Sequence, residues 1–480
     1  MEKNKILIGW GSRDITPKGK VSLRGQFHVR ITEEVHDPLS TTALALEAED
    51  GSEQAIIVSL DSSCASECVI DGVRAVLTEK LPGFNPENIF ISATHSHTTP
   101  TTFPGRALDE IPKPGVKVMT GEENRDLVVE KISEAAIEAW NSRKIGALSW
   151  GRTYAVIGFN RRVSYFDGSC IMYGKTDLPE FSHIEGREDH GIDMLFTYDS
   201  EHKLTGMVIN LACPAQCTEG AWFISADYWH ETRKKIRAEH GENLYILPQC
   251  AAAGDQSPRT MLNRQADARM LELKGYGNNY DMARRQDIAD KIGAAVSEVL
   301  PLAAKDIRDK AEFAHKTGNI ILPRRIVSTK ELNTAKEKIK EWKLRLDKLK
   351  GTDPHSVEYS KAFRSVRFYQ RVIDFYAKQQ NGEGLTLPLE IHVLRIGDIA
   401  VSTNRFEYFL DFGQRIKARS KAIQTFVVQL AGEGTYLPTE IAVKSGNYGA
   451  YVVNAPIGPE GGQIVVEESL GLINSLWNAE

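Results

Sequence analysis

Short β-branched runs alternate with amphipathic stretches along most of the chain. Residues 6–10, 55–60, 89–92, 207–211, 245–247 and 426–430 are apolar runs that end in polar or turn residues, and they read as strands. Two further runs, 391–396 and 399–403, flank Gly397-Asp398 and predict a hairpin. Apolar residues recur at helical spacing over 124–140, 228–240, 282–300, 407–419 and 467–477. Strand and helix patterns in alternation predict an α/β fold of layered, mixed β-sheets flanked by helices. No internal repeat interrupts it.

Residues 328–382 break this rhythm. Ser328 followed three residues later by Glu331 is a capping box, and a highly charged helix is predicted from there to about Leu349. Gly351-Thr352-Asp353-Pro354 ends it, and a second helix runs from about Ser356 to Gln380 before Asn381-Gly382. Leu344, Leu346, Leu349, Val357, Phe363, Val366, Tyr369, Val372 and Phe375 supply apolar positions for an inserted antiparallel helical hairpin. Such a hairpin serves as a surface insertion, as a lid, or as a contact for a homo-oligomer. Two long stretches rich in Pro, Gly and Thr, 98–121 and 254–281, read as loops walling a pocket.

The chain has 480 residues and a net charge of -5, which excludes a nucleic-acid footprint. No apolar run approaches the roughly 18 residues of a membrane helix. The apolar stretch at 6–10 is too short for a secretory signal and reads as a first strand, so a cytoplasmic location is expected. Six cysteines in so long a chain are too few for a disulfide scaffold.

Candidate chemistry lies where predicted strands end. Ala93-Thr94-His95-Ser96-His97 leaves the strand at 89–92, and side chains at such a place face the ligand crevice of an α/β sheet. The two histidines share a metal, divide metal binding from proton transfer, or are merely polar residues leaving a strand. Arg161 follows Asn160; Ser257 lies in Gly254-Asp255-Gln256-Ser257-Pro258; Glu407 opens a predicted helix; Tyr436 and Tyr448 sit in a glycine-rich stretch. Taken singly, these read equally as an ion-pair partner, a turn residue, a helix-dipole acid and half-buried aromatics.

Together their order resembles the catalytic domain of the neutral/alkaline, non-lysosomal ceramidases, zinc-dependent amidases. Gly9-Trp10-Gly11-Ser12-Arg13-Asp14-Ile15-Thr16-Pro17 is similar to that family's N-terminal Gly-x-x-x-x-Asp-Ile-Thr signature. The histidine pair is similar to its Ala-Thr-His-Thr-His-Ser-Gly-Pro motif, Asn160-Arg161 to its Asn-Arg-Ser-Pro, and Gly254–Pro258 to its Gly-Asp-x-Ser-Pro. Phe406-Glu407 matches the acid of its Pro-Gly-Glu-Phe segment, and Tyr436 and Tyr448 match two family tyrosines. The resemblance spans nearly all of residues 1–480 as one catalytic domain, apart from the hairpin at 328–382.

The resemblance implies zinc on His95, Glu407, Tyr436 and a second, distant histidine. Counting back from Ser225-Ala226-Asp227 puts that last position at Cys213, a departure that keeps a zinc-ligand type but adds negative charge. His190 and His230 are substitute ligands outside the pattern. In the leading reading His97 relays the proton, Arg161 and Tyr448 stabilise charge, and Ser257 orients substrate or, second to that, attacks it, although no adjacent base is evident. The chain stops soon after Tyr448, so the family's C-terminal β-sandwich domain is expected to be missing. The leading expectation is a zinc-dependent hydrolase of an amide (N-acyl) bond in a small, polar substrate, with Arg106, Arg259 or Arg264 reading an anionic or hydroxyl-rich group. The alternatives are a metal-dependent glycoside hydrolase with Cys213 as nucleophile, and a non-catalytic binding descendant.

Overall fold

A computed structural model describes residues 2–104, 111, 113 and 115–477. An eight-stranded sheet runs, in spatial order, Tyr245–Cys250, Leu204–Leu211, Gly191–Tyr198, Lys144–Tyr154, Ile6–Asp14, Ser40–Ala48, Gln54–Leu60 and Ile89–Ala93. Its interior pairs are antiparallel, and the outermost pair at each end is parallel. A four-stranded sheet, Phe313–Pro323, Thr386–Ile396, Ile399–Thr403 and Gln424–Val428, packs face to face on it.

The period of two in the central strands explains the layering. In Ser40–Ala48, Leu44 and Leu46 point between the sheets with Phe313, Leu394, Val401 and Phe426, whereas Ala43 and Ala45 point outward under helices. In Gln54–Leu60, Ile57 faces inward while Ile56 and Val58 face outward. Helices Glu67–Lys80 and Gly121–Asn141 cover one half of the outer face, and Tyr228–His240 and Tyr280–Ala303 cover the other. Leu410–Arg419 and Pro459–Ser475 cover the smaller sheet. The expected layered α/β architecture is therefore present, as a helix–sheet–sheet–helix stack. Gly9 and Gly11 of the N-terminal signature are packing residues: a Cβ there would lie 1.9 Å and 2.1 Å from the Ala139 and Ala135 carbonyl oxygens of the covering helix.

The two hairpin helices form at Thr329–Lys348 and Val357–Gln380, and both hydrogen bonds of the Ser328–Glu331 capping box are made. They leave and re-enter the smaller sheet at adjacent rungs, since Pro323 pairs with Thr386. Their apolar seam differs from the expected one. Leu344 and Val357 are exposed, while Ala335, Phe368 and Val372 pack against Val327, Val452 and Val453 of the main body.

Three other expectations change. The stretch 254–281 contains a helix, Arg264–Leu273. The last helix begins at Pro459, whose fixed φ and missing N–H suit a first helical position. Glu407 does not open a helix: the helix starts at Leu410, and Glu407 pairs with Tyr436 in a two-residue parallel ladder.

Candidate active site

Loops and strand ends from across the chain meet around a cavity of about 1080 Å³. His95 reaches it from the segment following Ile89–Ala93, with a left-handed backbone (φ 64°) that non-glycine residues seldom adopt. Its Nδ1 donates to the Ser63 carbonyl at 2.6 Å, which turns Nε2 toward Glu407. That nitrogen stands 3.2 Å from Glu407 Oε2. Both atoms are buried and make no hydrogen bond. Glu407 and Tyr436 arrive side by side because they are register partners in the short ladder.

Arg161 closes this group. Its Nη2 lies 3.3 Å from Tyr436 Oη, 3.9 Å from Glu407 Oε2, and 3.0 Å from the Gly254 carbonyl to which it donates. Its Nη1 donates to Tyr173 Oη at 3.1 Å and Gln216 Oε1 at 3.2 Å. The Gly254–Pro258 motif holds Arg161 in place. Asp255 accepts from Asn160 Nδ2 and from the Leu410 amide, and its carbonyl accepts from the Arg161 amide. Gly254 is where this segment touches the Glu407 strand, since a Cβ there would fall 2.3 Å from the Glu407 carbonyl oxygen.

His97 packs edge-on against His95, with ring centroids 4.9 Å apart. The Gln216 amide, turned by Arg161, donates to His97 Nε2 at 2.9 Å, which leaves Nδ1 facing Glu219 Oε2 at 3.5 Å. Arg259 buttresses Glu219 from behind, 2.6 Å from Oε1.

Burial and charge set the protonation of these groups. Burial pushes Glu407 up, but His95, Arg161 and Tyr436 outweigh it and hold the carboxyl at about 2. Glu219 is likewise pushed up by burial and held at about 2 by His97, Arg259 and Arg161. Burial lowers His97. Burial and the neighbouring Glu407 raise Tyr436 far above an ordinary phenol and Tyr448 to about 12, so both are neutral hydrogen-bond donors. Arg161 loses to burial but is raised by Tyr173, Tyr436 and Glu407, and stays charged.

The structure brings His95, His97, Arg161, Glu407, Tyr436 and Tyr448 to one cavity. It does not bring the others. Cys213 lies in the apolar core with Ile157, Tyr228 and Trp229 and does not line the cavity. Its thiol is 3.6 Å from the Pro214 carbonyl, and burial pushes it up. Ser257 is buried behind Tyr173, whose hydroxyl is 3.4 Å away, and does not line the cavity. His190 and His230 do not line it either. Arg259 is engaged with Glu219, Arg264 packs over Tyr280, and Arg106 lies outside the described residues. Sequence reasoning missed Gln216, Glu219 and Tyr173. Gln216 is the polar side chain that the segment after Leu211 delivers to the histidine pair, three positions beyond Cys213.

Residues 6–167 match the family model described as neutral/alkaline non-lysosomal ceramidase, N-terminal. The structure superimposes on the neutral ceramidase of Pseudomonas aeruginosa with a TM-score of 0.69 at 17% identity, covering 99% of this chain and 75% of that one. This is the neutral-ceramidase fold. A ceramidase solved in complex with C2 gives the same TM-score, 0.69, at 16% identity, covering 98% of this chain and 76% of that one. No curated protein sequence matches the chain. Nearly the whole chain is thus laid out on the neutral-ceramidase fold.

The donor set bears on the zinc expected of that fold. Among the described residues no three His, Cys, Asp or Glu side chains converge on a metal position. What converges is one imidazole, one carboxylate and the Tyr436 phenol. His95 Nε2 and Glu407 Oε2 stand 3.2 Å apart, the separation of an ion pair when the imidazole is protonated and of two ligands of one cation when it is not. Tetrahedral zinc, with bonds of about 2.0–2.2 Å, holds its donors roughly 3.3 Å apart. Three protein donors with an open fourth position are the usual stock of a catalytic zinc site. The residues present therefore fit the metal without Cys213.

Proposed function

We propose that this chain is a zinc-dependent hydrolase that cleaves an amide (N-acyl) bond in a small, polar substrate. The observation that carries the reading is the buried, unbonded pair of His95 Nε2 and Glu407 Oε2 at the floor of the cavity, beside the Tyr436 phenol. These three residues would hold the metal. When bound, zinc supplies a Lewis acid and an acidified water.

The chain's own groups supply the rest. Ser63 accepts from His95 Nδ1, so Nε2 is the nitrogen that would meet the metal. Arg161, charged and fixed by Gly254 and Gln216, places a guanidinium where the carbonyl oxygen of a bound acyl group gains negative charge. Tyr448, a neutral donor packed against Tyr436, adds a second hydrogen bond. His97 is oriented by Glu219 and Gln216; it would take the attacking water's proton on Nε2, displacing the Gln216 amide, and pass it to the leaving nitrogen. Burial of His97 and Glu407 keeps bulk water from competing with these contacts.

The test is metal analysis of the purified protein beside a screen of N-acyl, ester and glycoside substrates. About one zinc per chain with amide turnover supports the reading; activity undiminished in chelated, metal-free protein overturns it. A second reading, a metal-free binding protein, draws on the sparse donor set. Absence of bound zinc together with absence of turnover on every substrate would favour it. Cys213, buried in the apolar core, gives the glycosidase reading no support.

A further inference from the structure

The Pro323 end of the smaller sheet, where the helical hairpin departs, borders a second cavity of about 180 Å³. It shares no lining residue with the candidate active site. Arg324 and Arg325 line it from the start of the hairpin, and Lys378 and Gln379 from the end of the helix Val357–Gln380. Among the described residues no acid lines it. Asp374, one turn before Lys378, lines the large cavity instead.

Two of these polar side chains are already engaged. Arg325 Nη1 donates to the Ala450 and Ala455 carbonyls at 2.7 Å and 3.3 Å, and its Nη2 meets Glu331 Oε1 at 3.3 Å. Gln379 Nε2 donates to the Arg325 carbonyl at 2.7 Å, and its Oε1 accepts from the Val327 amide at 2.9 Å. Arg324 differs. Its backbone amide donates to the Leu385 carbonyl at 2.8 Å. Its guanidinium makes no hydrogen bond and no ion pair among the described residues, and its Nε is buried. Its side-chain neighbour is the Phe375 ring, 5.8 Å away. Burial, then the charge of Arg405, pulls Arg324 below its ordinary value. The exposed Lys378 ammonium likewise has no partner among the described residues. Burying part of a charged group without a partner costs free energy, so the cavity is electrostatically incomplete as it stands.

We propose that this second cavity binds a phosphoryl dianion through Arg324 and Lys378. Two uncompensated positive charges match the charge of about −1.5 to −2 that a phosphomonoester carries at neutral pH. A guanidinium presents paired donors to phosphate oxygens, and a lysine adds a point charge. The volume is that of about six waters at roughly 30 Å³ each, enough for a phosphoryl group and part of what bears it. Phe375, Val452 and Pro456 give that part an apolar wall. The bound anion ties the end of the hairpin to the segment after Tyr448. In that segment the Asn454 carbonyl accepts from the Tyr436 amide at 2.9 Å, and Asn454 Nδ2 donates to the Tyr448 carbonyl at 2.8 Å. The site stands whether or not the large cavity hydrolyses an amide.

The test is calorimetric titration of the whole protein with inorganic phosphate and with phenyl phosphate, beside acetate at matched ionic strength. Phosphate should bind at least about tenfold more tightly than acetate. Arg324→Gln removes no protein hydrogen bond and should weaken phosphate roughly tenfold, the loss of one bond to a charged group. Lys378→Gln should do the same. If Arg324→Gln does not fold, Lys378→Glu carries the comparison and should abolish binding. Tighter binding of phenyl phosphate assigns the ligand as a monoester; equal or weaker binding assigns free phosphate. Hydrogen exchange locates the site: phosphate should slow exchange at 378–385 and 451–457 and leave 95–97 unchanged. Equal binding of phosphate and acetate overturns the proposal. So does phosphate affinity that survives loss of either cation, or exchange slowed only around the large cavity.

Discussion

His95 is held in a left-handed backbone conformation so that one ring nitrogen meets Ser63 and the other meets Glu407. Backbone strain of this kind, of order 1–3 kcal/mol, is retained where the surroundings force it, commonly at sites of chemistry. His95→Ala is therefore expected to lose bound zinc and turnover together, whereas His97→Ala should keep the metal and lose about 10²- to 10⁴-fold in kcat. Metal content measured beside kcat separates the two, and the reverse pattern would exchange their roles. Gly254→Ala forces a methyl against the Glu407 carbonyl oxygen. It should cost about 1–3 kcal/mol in stability, by denaturant titration, and lower kcat by moving Glu407 from Arg161. At this scale the motifs were legible: six candidate residues meet because each lies in a short pattern that fixes its neighbours. Cys213 was not. The structure sets Cys213 in the apolar core, while Gln216, three positions on in the same segment, reaches His97.

Among the elements, strands with alternating faces were readable from their apolar period, and the hairpin from its charge and its cap. Less legible were the long strands Lys144–Tyr154 and Phe313–Pro323, where exposed and glycine positions dilute the period. The docking of the hairpin was also hidden, because its seam matches partners far away at Val452 and Val453. Replacing 328–382 by a short turn should leave a folded sheet stack, since the strands it joins are already paired at Pro323 and Thr386. Circular dichroism and a cooperative melt check the fold, while KM should rise sharply for any productive substrate. An insoluble product would show that the seam completes the main core. A second element-level expectation concerns acid. His315, on the smaller sheet, bonds the Gln54 carbonyl of the larger one and faces His392. Burial, then the charge of His392, pushes it down to about 3, against an ordinary value near 6.5. The unfolded chain therefore takes up this proton first. The stability that neutral His315 confers is complete above about pH 6.5 and is lost as pH falls towards 3. Melting temperatures across that range should fall less steeply in His315→Gln than in the parent.

For the molecule as a whole, no helix among the described residues is long and apolar enough to cross a membrane. The cavity mixes aromatic walls with arginines, a poor match for a neutral lipid with two hydrocarbon chains. A short-chain fluorescent ceramide in detergent should accordingly be turned over with kcat/KM below about 10⁴ M⁻¹s⁻¹, the lower edge of ordinary enzymes, while polar N-acyl compounds exceed it. The reverse ranking would return the substrate to the lipid class. The hairpin's point of entry carries a last consequence. Its two ends leave neighbouring rungs of one ladder, so the segment can be lengthened, trimmed or traded without disturbing a single strand of the stack beneath. The floor and the roof of the cavity are thus free to change at different speeds. Exchanging one roof for another on a fixed floor is a direct route to new selectivity, open to the laboratory as well as to descent.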